Sequence, residues 1–362
     1  MQILIYIIII FLLIQAFVVT INFFTPRITT NNKISNDDLV SILIPARNEE
    51  KNISNLLNSI INQDYHNYEV IVLDDHSEDK TYKIVEEYCY KDSRFKVVKG
   101  KDLPEKWKGK NWACHQLSKE SKGNYLLYLD ADTQIKSGLI SNSLTEMKKN
   151  KFDLLSIFPK QITISIAEKL TVPIINYILL SLLPLILVEK LKFTSLSAAN
   201  GQFMLFKSDS YNLNKWHELV KESIVDDIDI MKSVKKSKLK GSVKLSDALV
   251  ECRMYDSFNA VKEGMSKNII LIFGNNIFLL LFFLLISLFS FPITYIYGSN
   301  LEFISLVTIT LYIRVLISYI SQQNILFNSL LHIIQSSMLL IISFKAFYNK
   351  INGSTTWKGR KI

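Results

Sequence analysis

Val72-Leu73-Asp74-Asp75 and Tyr128-Leu129-Asp130-Ala131-Asp132 are the two stretches that set the fold of this chain. Each runs from β-branched, aromatic or other apolar residues straight into carboxylates. A buried strand ending this way delivers its acids to the carboxyl edge of a parallel sheet, where open α/β sheets bind ligands. Two such ends, the second reading Asp-x-Asp, point to a nucleotide accompanied by a divalent cation.

Working outward, Val40 to Pro45 reads as a buried strand, and Glu49 to Gln63 carries Ile53, Leu56, Leu57, Ile60 and Ile61 at helical spacing. Glu69 to Leu73 is a second strand, Lys80 to Tyr90 a helix, and Phe95 to Val98 a short third strand. A helix follows from Asn111, then strands at Tyr125 to Leu129 and Leu154 to Phe158. This β-α-β-α rhythm predicts an α/β fold, a Rossmann-like, mostly parallel sheet with helices on both faces.

The flanks have a different composition. Residues 1–24 are apolar and almost uncharged, long enough for the roughly 20 residues a membrane-crossing helix needs. They lack the basic start and small-residue cleavage site of a secretory signal, so the expectation is an uncleaved membrane anchor. Residues 37–268 have the composition of a soluble domain, residues 269–348 are again apolar, and residues 349–362 form a basic tail. The net charge of +9 suits anionic lipid, and no nucleic-acid recognition motif accompanies it. Cys89, Cys114 and Cys252 are odd in number and widely spaced, which indicates neither a zinc site nor a disulfide framework.

Basic residues mark the cytoplasmic side of a membrane protein. Arg27 and Lys33 follow the first apolar stretch, and Lys345, Lys350, Lys358, Arg360 and Lys361 follow the last. Both flanks are therefore expected in the cytoplasm, as a multi-pass cell-membrane protein with a cytoplasmic catalytic domain. That requires an even number of crossings after residue 268, yet the apolar stretches there number three: about 270–297, 301–320 and 326–347. One of them, such as the segment containing Arg314, would be re-entrant or lie on the surface. Leu170 to Val188 is also long enough to cross but contains Pro173 and Pro184. A single crossing there would split the soluble region, so residues 167–190 are expected to form an interfacial segment.

Pro45-Ala46-Arg47-Asn48-Glu49-Glu50, Asp74-Asp75 with Ser77 and Asp79, Gly109-Lys110-Asn111-Trp112-Ala113 and Asp130-Ala131-Asp132 together resemble the family 2 glycosyltransferases. Gly201-Gln202-Phe203, Val225-Asp226-Asp227, Arg253-Met254-Tyr255 and Trp357-Lys358-Gly359-Arg360 extend the likeness over nearly the whole chain. The set is similar to the membrane branch containing the carotenoid-acid (4,4'-diaponeurosporenoate) and hopene-associated glycosyltransferases. The resemblance implies a GT-A fold, inversion at the sugar, a UDP-sugar donor and Mg2+ or Mn2+.

Site roles follow from the resemblance and from charge chemistry. A departing nucleoside diphosphate accumulates negative charge, which a cation held by carboxylates offsets as a Lewis acid. Asp132 is the expected metal ligand, with Asp130 toward the ribose or the water shell of the cation; as a plain sequence feature the pair would be turn or capping aspartates. Asp75, or Asp74 one residue earlier, is implied as the contact to the base or ribose. Arg47 is a candidate for the base or diphosphate, or for a surface salt bridge. Lys110, after Gly109, is a candidate phosphate contact, while Trp107 and Trp112 would wall that loop or simply pack. Asp227 matches the general base and Asp226 the acceptor side; alternatively both cap a helix. Arg253 stands where related enzymes place a basic residue near the diphosphate.

The membrane helices favour a lipid acceptor, with carotenoid acid first and hopanoid, polyprenyl phosphate and diacylglycerol open. A processive synthase would carry Gln-x-x-Arg-Trp where this chain has Glu251-Cys252-Arg253-Met254-Tyr255. A nucleotidyltransferase would carry a glycine-rich signature after the first strand, and a non-enzymatic scaffold would need none of these acids.

Overall fold

The computed structural model describes residues 1–30, 38–255 and 257–352, with the backbone of two short strands, Thr356–Trp357 and Arg360–Lys361. Lys33 and the side chains of the Trp357 to Arg360 tail lie outside the described residues. The chain divides into two compact units, one of Pro26–Lys160 with Leu185–Arg253, the other of Met1–Thr25, Gln161–Pro184 and Met254–Ile362. The segment expected to be interfacial, 167–190, is thereby shared between them.

The first unit is an α/β sandwich. Its strands are β1 (Val40–Ala46), β2 (Tyr68–Asp74), β3 (Phe95–Lys99), β4 (Tyr125–Leu129), β5 (Thr133–Ile135), β6 (Leu154–Phe158), β7 (Lys160–Gln161, at its boundary), β8 (Phe203–Lys207), β9 (Gly241–Leu245) and β10 (Val250–Cys252). Seven of them form one sheet in the order β3-β2-β1-β4-β8-β6-β9. Every pairing in it is parallel except those of β8, which runs against both β4 and β6. The near-continuous apolar runs of β1, β2 and β4 fit strands covered on both faces; Ile42, Ile44, Val70, Val72, Leu127 and Leu129 are all buried.

The helix Ile53–Ile61 buries Ile53, Leu56, Leu57 and Ile60 at the expected spacing and leaves Ile61 exposed. Each of these fully buried side chains contributes about 1.5–3 kcal/mol. The parallel register of Ala46 with Asp74 brings the carboxyl ends of β1 and β2 to one edge. Because β8 is reversed, its first residue, Phe203, pairs with the last of β4, Leu129. Gly201 and Gln202 thus arrive at that same edge, and Asp130 N–H donates to Gln202 O at 3.4 Å.

The second unit is helical. Gln2–Phe24, Ile277–Tyr297 and Asn300–Ile320 are each long and apolar enough to cross a membrane. Ile3, Phe17, Phe278, Leu301 and other large apolar side chains point outward from them, as lipid-facing residues do. Gln2 donates to Glu302, and the hydroxyls of Thr20 and Tyr312 are bonded, so Gln2–Phe24 and Asn300–Ile320 run parallel. The break at Gly298-Ser299 is fixed by a capping box between Ser299 and Glu302.

Two expectations change here. The segment with Arg314 is an unbroken helix of 21 residues rather than a re-entrant piece. The stretch 326–347 is the one that breaks, into Ile325–Leu330 and His332–Asn352, with Leu331 between them. The 170–188 stretch is likewise interrupted, into Ile166–Thr171, Pro173–Leu182 and Leu185–Lys190. Pro173 takes the first turn of its helix, where a missing N–H costs nothing; Leu183, before Pro184, is extended, the conformation a following proline favours. A helix of 10 residues rises about 15 Å, half of the roughly 30 Å hydrocarbon core.

Candidate active site

The loops that leave β1 and β2 are laced together by reciprocal bonds. The N–H groups of Asn48, Glu49 and Glu50 donate to Ser77 Oγ, Thr81 Oγ1 and Asp79 Oδ2. In return, Glu78 N–H donates to Asn48 Oδ1 and Lys80 N–H to Glu50 Oε2. Arg47 completes the join: its Nη1 donates to Asp75 O at 2.7 Å and to His76 O at 3.4 Å. These bonds make Arg47 a backbone clamp on the Asp75 turn. Asp74 and Asp75 are both buried beneath this loop pair. Asp74 Oδ2 accepts from Ser77 N–H at 3.3 Å, and its Oδ1 is buried with no hydrogen-bond partner.

Across the edge, Lys110 is the hub. It lies in the first turn of the helix Gly109–Glu120, and its ammonium sits 2.6 Å from Asp130 Oδ1. Burial alone would lower the Lys110 pKa, but the charges of Asp130 and Asp226 outweigh it and hold the ammonium well above the usual lysine range. The same helix is tied down by Asn111, whose Nδ2 donates to the carbonyls of Val220, Lys221 and Ser223. Trp107, Trp112 and His115 cluster with ring centres 5.0–5.7 Å apart, Trp112 stacked on His115 and Trp107 set edge-on or tilted to both.

Asp226 and Asp227 open the helix Asp226–Lys236, where carboxylates complement the helix dipole. Asp227 Oδ1 accepts the N–H of Ile228 at 2.8 Å, and Oδ2 accepts that of Gly201 at 3.0 Å. Although part of its surface remains open, enclosure by protein and then the neighbouring Asp226 charge raise the Asp227 carboxyl to about 7. A carboxyl poised there exchanges protons near neutrality. Gly201 leaves no room between the two clusters: a Cβ there would stand 3.0 Å from Lys110 Nζ and 3.8 Å from Asp227 Oδ2.

Asp132 is approached from β10, which pairs Cys252 with Thr133. The Cys252 thiol is held by Gln202 Nε2 at 2.7 Å and bonds to Asp132. Burial, and then the charges of Asp132 and Asp130, push this thiol well above its ordinary range, so it stays protonated and donates to the carboxylate. Arg253 follows it directly and is exposed. Among the described residues, no three His, Cys, Asp or Glu side chains gather to hold a cation by themselves. The donor set of Asp130 and Asp132 instead suits a hard cation that shares oxygen ligands with a substrate diphosphate.

Neither Gly201, Gln202 nor Cys252 stood out as a site residue in the sequence. The run Gly201-Gln202-Phe203 was visible as a motif, but its place beside Asp130 depends on the reversed strand β8. A buried cysteine beside an Asp-x-Asp has no linear signal.

Residues 41–212 match the family described as Glycosyl transferase family 2. A 4,4'-diaponeurosporenoate glycosyltransferase of Staphylococcus haemolyticus is 26% identical over 240 residues, covering 64% of this chain and 60% of that protein. Its Staphylococcus aureus counterpart is 28% identical over 238 residues, covering 65% and 61%. The match thus spans about three fifths of the length of these relatives. Among solved structures, a mannosyltransferase from Pyrobaculum calidifontis in complex with GDP-Man and Mn2+ is similar in fold, with a TM-score of 0.56 at 13% identity over 96% of this chain and 99% of that one.

Proposed function

Residues 41–212 form a glycosyl transferase family 2 domain, and from that premise we propose that the chain is a membrane-bound inverting glycosyltransferase. It moves one hexose from a UDP-sugar to a lipid acceptor at the cytoplasmic leaflet, with a carotenoid acid as the favoured acceptor. The observation that carries this reading is the Lys110 hub, which joins Asp130 of the Asp-x-Asp to the Gly201–Asp227 pair.

In this reading the acceptor oxygen attacks the anomeric carbon, a bond forms between them, and the bond from that carbon to the diphosphate oxygen breaks. The acceptor proton passes to Asp227, whose elevated pKa near 7 lets it take and return a proton at neutral pH. If the acceptor is a carboxylic acid, already ionised at a pKa of about 4, Asp227 orients it instead. Lys110 offsets negative charge near the departing diphosphate, and Arg253 adds a second positive charge there. Asp132, with Asp130 beside it, would hold Mg2+ or Mn2+, which when bound supplies Lewis-acid stabilisation of the leaving group. In this reading Asp75, whose backbone is clamped by Arg47, or Asp74, with its spare buried oxygen, meets the base or ribose.

The helical unit supports a lipid acceptor. Two span-length helices after residue 268, Ile277–Tyr297 and Asn300–Ile320, return the chain to the side it left, as the basic residues on both flanks require. Their order also makes Gln2–Phe24 and Asn300–Ile320 cross in the same direction, in keeping with the parallel contacts Gln2–Glu302 and Thr20–Tyr312. The names of the curated relatives supply the carotenoid-acid preference.

The test uses membranes containing the full chain, radiolabelled UDP-glucose, Mn2+ or Mg2+, and total lipid extract from the source cell. Label in the organic phase that disappears in Asp132→Ala and Asp227→Ala supports the proposal and identifies the acceptor by mass. No lipid label from any common UDP-sugar, with folded protein, refutes it.

A further inference from the structure

Lys235, near the end of the helix Asp226–Lys236, is only 5% exposed, and among the described residues no carboxylate pairs with it. Its Nζ donates to three backbone carbonyls instead: Leu191 O at 3.0 Å, Phe193 O at 3.3 Å and Leu196 O at 2.7 Å. An ammonium has three N–H donors, so all of them go to one short stretch of chain. Burial lowers its pKa to about 8, the mark of a cation kept where charge is costly. The stretch it holds runs from the end of the helix Leu185–Lys190 into the turn Thr194–Leu196.

The clamp leaves a mixed surface facing outward. Phe193 is 65% exposed, the one exposed phenylalanine of the α/β unit among the described residues. Lys190, Leu191 and Lys192 are exposed beside it. The Phe193 carbonyl also accepts Leu196 N–H at 3.1 Å, so the backbone that carries the ring is fixed from two sides. Lys236 and Lys238, also exposed, lie on the connection from the helix Asp226–Lys236, which packs on the turn, to β9, which packs on the helix Leu185–Lys190. Residues 190–197 and 236–241 contain no carboxylate. Glu189, the acid just before them, is turned onto Lys244 Nζ at 3.1 Å and Ser242 Oγ at 3.0 Å, and Asp153 accepts Lys240 N–H at 2.9 Å.

The position along the chain sets what this surface meets. The helix Gln2–Phe24 has 23 residues and rises about 35 Å, so its ends reach the head-group region outside a hydrocarbon core of roughly 30 Å. Asn22, near one end, donates to Leu180 O and Leu183 O, both at 2.9 Å. Leu183 therefore stands at the level of that helix end. From there the chain runs through the helix Leu185–Lys190 to Phe193, a path of at most about 25 Å.

We infer that residues 190–193 are a membrane-contact loop of the α/β unit. Leu191 and Phe193 enter the head-group layer of an anionic bilayer, and Lys190, Lys192, Lys236 and Lys238 meet its phosphates. Lys235 holds the loop in the shape that does so. Apolar side chains ringed by lysines have the composition of interfacial segments, and anionic lipid attracts such basic clusters at close range. Lys235 shares a helix with Asp227, and Gly201, which bonds Asp227, follows Leu196 by five residues. The loop that meets the bilayer is thus the one to which the Asp227 helix is tied.

The experiment uses the full-length protein in nanodiscs of phosphatidylcholine, with or without phosphatidylglycerol. In a Cys89→Ser background the remaining cysteines, Cys114 and Cys252, are buried. A nitroxide is then placed on Ser195→Cys or, as a reference, on Tyr90→Cys, both exposed positions of the α/β unit. Electron paramagnetic resonance compares collisions with oxygen, which is enriched in lipid, and with a water-soluble nickel chelate. In anionic discs the oxygen-to-nickel ratio at 195 should be at least about threefold that at 90, as for an interfacial segment. Replacing Leu191 and Phe193 together by serine should return it to the reference value, Lys235→Met should lower it, and neutral discs should give a smaller ratio than anionic ones. Circular dichroism checks folding, and the double serine variant alters only exposed side chains, so it decides the matter even where Lys235→Met does not fold. Equal ratios at 195 and 90 overturn the inference, as does a ratio unmoved by the double variant or by removal of anionic lipid. An unchanged ratio in folded Lys235→Met overturns the clamp. No readout here requires sugar transfer, so failure of the loop and failure of the proposed reaction are told apart.

Discussion

The backbone N–H of Gly201 donates to Oδ2 of Asp227 at 3.0 Å, and the space above its Cα is taken by the ammonium of Lys110. A side chain as small as a methyl would touch both clusters. Gly201→Ala should therefore displace Lys110 from Asp130 without strain in the backbone, because the nearest atom is the end of a flexible side chain. Transfer activity should fall about tenfold or more, a loss expected when site geometry shifts by even an ångström. The melting temperature should stay within a few degrees of wild type. Steady-state rates beside a thermal melt check this, and unchanged activity would mean that the Lys110–Asp130 pair is not part of the working site.

The elevated Asp227 carboxyl sets a pH dependence. With a hydroxyl acceptor Asp227 must be ionised to act as general base, so kcat/KM for such an acceptor should rise with pH along a limb centred near 7, whereas a carboxylate acceptor, which Asp227 only orients, should show no such rise. Asp226 is one cause of the elevation, so Asp226→Asn should move the limb to lower pH. Stability should run the other way. The folded protein holds the Asp227 proton more tightly than the unfolded chain, so between the ordinary carboxyl range and about 7 it carries more protons and stability falls as pH rises. Asp227→Asn should thus be more stable than wild type at pH 8 and equal to it below about pH 4, while losing a factor of about 10²–10⁴ in rate. A limb that stays in place in Asp226→Asn would sever the link between the acid pair and the profile.

Arg47 holds the backbone of the Asp75 turn through its Nη1 bonds to the carbonyls of Asp75 and His76. Arg47→Ala removes two charge-assisted bonds to carbonyls, and such bonds contribute about 1.5–3 kcal/mol each when the partner is charged. The variant should lose stability by an amount of that order. It should also raise the KM for the nucleotide donor by roughly tenfold while kcat changes less, because positioning of Asp75 affects ground state and transition state alike. Arg47→Lys keeps the charge on a shorter side chain that falls short of the position Nη1 holds between the two carbonyls, and should recover only part of the loss. Donor titrations of the three proteins separate this from a direct phosphate contact, which would lower kcat as well.

The parts of the fold that were legible in the sequence are those written in local pattern. Val40 to Pro45, Glu69 to Leu73 and Tyr125 to Leu129 could be read as buried strands because each is apolar on both faces, and the strand ends announced Asp74, Asp75, Asp130 and Asp132. Pro173 and Pro184 were enough to doubt a crossing at 170–188. What could not be read depends on contacts distant in sequence. Gly201 reaches Asp130 only because β8 is reversed, and Cys252 reaches Asp132 only through the β5–β10 pairing. Arg47 had the right charge for a phosphate, and only the fold shows that carbonyls take its donors. The parity of crossings made one of the three apolar segments re-entrant or superficial without saying which; that the segment around Arg314 forms an unbroken helix depends on Asn328 and Gln335, which bond Arg314 from 14 and 21 residues later.

Cys252 offers a measure of how much the acids at this edge depend on their supports. Its thiol donates to Asp132 and is itself fixed by Gln202 at 2.7 Å, so the proposed cation ligand is oriented by a group that would not itself coordinate. Groups of this kind commonly tune metal affinity or activity by 10–100-fold. Removal of divalent cations with EDTA should abolish transfer, and Mn2+ or Mg2+ should restore it. In Cys252→Ala the half-saturating Mn2+ concentration should rise about tenfold, since Asp132 loses a donor that restrains its rotamer. Cys252→Ser keeps a donor of similar reach and should stay within about threefold of wild type by the same reasoning. Metal titrations of activity, paired with Mn2+ binding followed by electron paramagnetic resonance in the presence of UDP, distinguish a weakened cation site from a slower chemical step. If alanine and serine behave alike, and both like wild type, Asp132 is oriented by its turn alone and the thiol is only packing.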